Sequence, residues 1–144
     1  MIIETFDDLL LSARQQPNAQ RLLFVFAIRE LPDDCTAEQR ARFAAGTGGA
    51  LVPLMEVDKL PGDLKGFDQL VEESTHFAQG TVAQDWSIVF CAALGGQGKV
   101  PPTSADADMP LRNMVGAIRA GSVRPYITFD RQGNFVKLVQ PSGR

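Results

Sequence analysis

His76 is the only histidine in the chain, and Glu72 and Glu73 precede it by four and three residues. On a helix that spacing sets both carboxylates beside the imidazole, where either would raise its pKa and make it a general base or a pH sensor. The plainer reading is the flank of a solvated helix, which produces the same spacing for no chemical purpose. With one histidine, a zinc site would need mostly carboxylates, an uncommon donor set. Gly95-Gly-Gln-Gly-Lys99 follows an apolar run and invites comparison with a phosphate loop. A Walker A loop needs a glycine five positions before its Gly-Lys pair and Ser or Thr directly after it. Here those places hold Ala93 and Val100, and Pro101-Pro102 stops a helix from starting where its free N–H groups would hold phosphate. No G-x-G-x-x-G is present either. The run reads as a flexible surface connection, with Lys99 left as an anion contact.

Carboxylates gather where strands are expected to end: Glu30, Asp33 and Asp34; then Asp58 and Asp63; then Asp106 and Asp108; then Asp130. In open α/β sheets ligands bind outside the carboxyl ends of the strands. Glu30, Asp33, Lys99, Asp106, Asp108, Arg112 and His76 are therefore the candidate ligand contacts, able in principle to hold a cation, move a proton or meet a small anion. Aspartates also cap helices and open turns for structural reasons alone. Arg112 and Arg119 share a helix face, most simply its solvated edge. Cys91 sits inside an apolar run and reads as an inert core thiol. Cys35, just before a helix start, is the better of two weak redox candidates, although Asp33 and Asp34 oppose a lowered pKa. A bridge between the two cysteines has no support in the sequence, and free thiols in a reducing compartment are expected.

The chain has 144 residues, enough for one domain with a core of its own, and 44% of them are hydrophobic. A formal net charge of −3 argues against a nucleic-acid surface. Met1-Ile-Ile-Glu-Thr has no basic segment before an apolar one, and no apolar run reaches membrane-spanning length. A cytoplasmic protein without membrane contact or cofactor is expected.

Two short apolar runs, Leu22–Ile28 and Trp86–Leu94, read as strands buried on both faces. Thr5 with Asp8 opens a helix that buries Phe6, Leu9, Leu10 and Ala13, and Thr36 with Gln39 opens another, Ala37–Ala45, with a light face of Ala37, Ala41, Phe43 and Ala44. A strand at Leu51–Val57 carries Pro53, which favours an edge. A third helix spans about Leu64–Gln79, and Asp108 is expected to cap a fourth with Leu111, Met114, Val115 and Ile118 inward. Pro125–Phe129 and Phe135–Val139 form a final hairpin around Asp130–Asn134.

The order is helix, strand, helix, strand, repeated once, and residues recur with it. Phe6, Asp7 and Leu9 match Phe67, Asp68 and Leu70; Val25-Phe26 matches Val89-Phe90; Gly49, Pro53 and Asp58 match Gly121, Pro125 and Asp130. The caps Thr36 and Asp108 line up as well. The expected fold is a single α/β domain with an internal repeat at about 4–58 and 65–130. The units should lie about a pseudo-twofold axis, each with a right-handed parallel crossover, in a mixed sheet of four or five strands with helices packed on it. A two-layer α+β arrangement with longer-range antiparallel pairing is the alternative.

Several stretches carry a family likeness: Leu22-Leu-Phe-Val-Phe-Ala, Glu30–Phe43, Gly48–Lys59, Leu70-Val-Glu-Glu-Ser, Trp86-Ser-Ile-Val-Phe and Phe129-Asp-Arg-Gln-Gly. Together they resemble a family of small proteobacterial proteins often labelled "ribonucleotide reductase subunit alpha", over nearly the whole chain. The resemblance implies no catalytic positions. A reductase large subunit is a much longer barrel with a radical-bearing cysteine and a reducing pair, so the label reads as a naming error. The expectation is a non-enzymatic interaction or regulatory domain, acting on a protein partner or by self-association through the light helix or an edge strand. The alternatives are a small-ligand or anion-binding protein with its pocket at the strand carboxyl ends, and a small hydrolase or redox enzyme.

Overall fold

The computed structural model describes residues 3–30, 36–44 and 50–136. The elements run α1 (Phe6–Arg14), β1 (Gln20–Glu30), α2 (Ala37–Ala44), β2 (Ala50–Lys59), α3 (Phe67–Phe77), β3 (Ile88–Gly95), α4 (Ser104–Arg119) and β4 (Ile127–Asp130). The helix-strand unit is thus duplicated, and the four strands form one sheet in the order β2-β1-β3-β4. The first repeat supplies one half of the sheet and the second repeat the other. At its centre Val25 faces Phe90 and Phe26 faces Val89, so the two Val-Phe pairs meet across the pseudo-twofold.

The direction of the strands differs from expectation. All three pairings are antiparallel, β1 with β2 included, so neither repeat contains a parallel crossover. A continuous apolar run reports burial on both faces, and a central antiparallel strand with helices above and below satisfies that equally well. Alternate residues of β1 enter separate cores. Leu22, Phe24 and Phe26 pack with α1, Leu70, Trp86 and Phe129, while Leu23, Val25 and Ala27 pack with Ala107, Leu111, Met114 and Ile118 of α4. Helices therefore lie on both faces: the α+β alternative is right in its antiparallel pairing and wrong in its two layers.

Local signals hold where a few neighbouring residues decide them. Thr5 and Asp8 form a reciprocal capping box, and α1 buries Phe6, Leu9, Leu10 and Ala13. The Thr36 hydroxyl accepts from the Gln39 N–H (3.1 Å) while Gln39 accepts from the Thr36 N–H (2.8 Å). The face expected for α2 fails, because none of its residues is buried. Phe43 lies instead beneath the Arg29 guanidinium, 4.4 Å from the ring centroid. In α3 the buried positions are Leu70 and Ser74, and Ala78 just beyond is buried whereas Phe77 is 66% exposed. Ser74 Oγ accepts from the Trp86 indole N–H at 2.9 Å, satisfying the one polar group of a buried ring.

The start of α4 is also corrected. Its cap is Thr103, with Asp106 completing the box, five residues before Asp108. The caps of α2 and α4 therefore do not coincide under the repeat. Pro110 lies inside the helix, which forgoes one backbone bond there rather than beginning after it. Pro53 is on an edge strand as expected, opposite Ala27 where the register shifts. The closing turn forms through Asp130 N–H to Asn134 O (2.9 Å), and Val136 N–H reaches Thr128 O (2.9 Å). The expected strand beyond Val136 lies outside the described residues. Among the described residues no helix is long and apolar enough to cross a membrane.

Candidate functional site

An antiparallel sheet divides its strand carboxyl ends between opposite margins, and this separates the residues expected to converge. Glu30 ends β1, exposed, opposite Ala50. Lys99, Asp106, Asp108 and Arg112 follow β3 at the other margin. Asp33 and Cys35 lie outside the described residues. Asp108 and Arg112 pair with each other at 3.3 Å on the exposed face of α4. His76 is exposed on α3, its ring 6.0 Å from that of Phe77. Glu73 is paired with Lys59 rather than directed at the imidazole. No group of three His, Cys, Asp or Glu side chains could hold a metal ion among the described residues. Burial holds the Cys91 thiol protonated, well above its ordinary pKa, as expected of a core cysteine.

The glycine-rich run is a pinned turn rather than a flexible one. Gln97 and Val100 exchange both backbone hydrogen bonds at 2.9 Å, with Gly98 at φ +57° between them. Gly98 N–H donates to Asn18 Oδ1 (2.9 Å), Ala19 N–H donates to Gly98 O (2.7 Å), and Gly96 N–H donates to Ala19 O (2.8 Å). A Cβ at Gly96 would sit 2.1 Å from Val100 O, so only glycine allows the close passage. The N–H groups of Gly96, Gln97, Gly98 and Val100 are thus occupied by the protein itself, which leaves no cradle for phosphate. Lys99 stands exposed at the tip.

The main polar cluster at this margin centres on Arg21, a residue outside the sequence-based candidates. Its guanidinium donates to Pro102 O at 2.7 Å and to Asp58 Oδ2 at 2.6 Å, and Ser104 Oγ donates to the same Asp58 oxygen at 2.6 Å. The Arg21 and Asp58 side chains are only 14% and 20% exposed. Nearby, hydrogen bonds from Thr103 hold the Asp106 carboxyl below its usual range, and the Arg21 charge adds to this. Asp58 is an acceptor with its partners in place, and the serine has no histidine beside it to act as base. The group ties the start of α4 to β1 and β2. Its only sequence signal was Asp58 at a strand end, because Arg21 lies in β1 just before the apolar run Leu22–Ile28 and meets Asp58 through tertiary pairing. No family model, curated protein or solved structure matches the chain.

Proposed function

We propose that the protein is a non-catalytic interaction domain that self-associates through the outer edge of β2, which no strand among the described residues covers. The observation that carries this reading is the state of that strand. β2 is ten residues long, ends the sheet, and has no fully buried residue, leaving Leu51, Val52, Leu54, Met55 and Val57 half-exposed. An unpaired edge offers a row of backbone groups to another strand. Pro53 and the register shift beside it confine pairing to part of the strand, which favours one defined contact over open-ended stacking. α2, fully unburied in the same repeat, supplies further exposed surface. On this reading the protein acts in the cytoplasm by binding, without a cofactor, and reductase activity does not enter.

Light scattering across a concentration series tests it. The expected result is a dimer that Val52→Lys converts to monomer, since Val52 belongs to neither core and its replacement leaves the fold intact. A monomer at every concentration, or a dimer indifferent to Val52→Lys, overturns the reading.

A further inference from the structure

At the opposite margin of the sheet from β2, a cleft of about 420 Å³ opens between α1 and the β3–β4 pair. We propose that this cleft binds a small uncharged molecule with an apolar body and one neutral hydrogen-bonding group. The volume lies within the range of small-molecule sites, about 300–1,000 Å³. Ile3, Leu9, Ala13 and Ile127 form its apolar wall, and Ala93 lies at its rim. Alanine at Ala13 and Ala93 leaves open the space that larger side chains would fill. Charge selects the ligand class. In a chain with 22% charged residues, none of the described residues lining this cleft carries a charge. An ion entering it would lose hydration without a counter-charge, whereas a neutral molecule would lose little.

The polar groups present suit a neutral donor or acceptor. Ser12, Gln20 and Tyr126 line the cleft, and among the described residues the Ser12 and Tyr126 hydroxyls bond to no other protein group. Tyr126 also packs against the α4 core, which anchors the chain where it borders the cleft. The Ser12 hydroxyl, carried on the packed helix α1 beside the apolar wall, suits a neutral partner at small entropic cost. The proposal is independent of the β2 edge, and Val52→Lys is expected to leave it untouched.

The test titrates the whole protein with N-phenyl-naphthylamine, an uncharged fluorophore with one N–H, beside its sulfonated analogue. The expected result is a saturable fluorescence rise at one site per chain with the neutral probe and none with the sulfonate. Ala93→Phe, a filling change at an exposed position, is expected to abolish the rise. Phe77→Ser, at the most exposed phenylalanine of α3, is expected to leave it unchanged. Amide NMR shifts on adding the neutral probe need no variant and should concentrate at Ser12, Ala13, Tyr126 and Ile127. No saturable binding, equal binding of the sulfonate, or shifts centred on Phe77 would each overturn the proposal.

Discussion

α2 and α4 hold the same place in their repeats, and each opens with a threonine capping box. Yet α4 buries Ala107, Leu111, Met114 and Ile118, while α2 buries no residue. Composition accounts for part of this, since alanines and one phenylalanine offer α2 less apolar area than the Leu, Met and Ile of α4 offer their helix. Placement accounts for the rest. α4 lies across β2 and β1, the strands of the first repeat, and so takes ground that a second helix on that face would need. A duplicated unit need not divide the burial equally. One copy of the helix can serve both halves of the sheet and release the other for surface work.

Replacing Met114 with alanine should therefore cost about 2–5 kcal/mol in urea unfolding. Phe43→Ala, on α2, should cost less than about 1 kcal/mol, the scale of its cation–π contact with Arg29. Equal losses would break the comparison and imply that α2 packs more tightly than its exposure indicates. A middle-sized effect is expected at the tie between α4 and the first repeat. Asp58→Asn leaves Arg21 without its charged partner and should lower stability by about 1–3 kcal/mol. Hydrogen exchange should accelerate at the first turn of α4. Glu30→Gln, at the exposed end of β1, should stay within about 0.5 kcal/mol of the parent.

The smallest effect separates the two caps by pH. α4 is capped through the Asp106 carboxylate, whose pKa is lowered in the folded protein, whereas the α2 box uses the uncharged amide of Gln39. A depressed folded pKa means the stabilisation is fully present above the unfolded value of about 3.9 and is lost as pH falls through the folded one. Asp8, capping α1, is lowered for the same reason: it accepts from the Glu4 and Thr5 N–H groups. Acidification should thus speed amide exchange around Thr103–Asp106 and Thr5–Asp8 while leaving Thr36–Gln39 at the ordinary pH dependence of exchange. Matching losses at all three caps would show that global unfolding, rather than carboxylate protonation, is being measured.

The candidate site was less legible than the fold. The reading of carboxylates at strand ends assumed parallel strands, which bring every carboxyl end to one margin; antiparallel pairing sent Glu30 to one side and Asp106 to the other. His76 looked poised because two glutamates precede it, but Lys59 from β2 takes Glu73. Arg21 gave no signal, since its partners Asp58, Pro102 and Ser104 are brought to it only by folding.

The sequence by itself determined what a handful of neighbouring residues can settle. It specified the Thr5 and Thr36 caps, the buried stripe of α1, the doubly buried β1 and first half of β3, the Asp130 turn and the duplicated order of helix and strand. These rest on hydrogen bonds and side-chain periodicities that span one or two turns of chain. Strand direction, the burial of Ala78 in place of Phe77, the reach of α4 across the first repeat and the idleness of α2 were decided by tertiary structure. They depend on which apolar surfaces meet once the whole chain has collapsed, and two arrangements with the same local pattern differ only in those distant contacts.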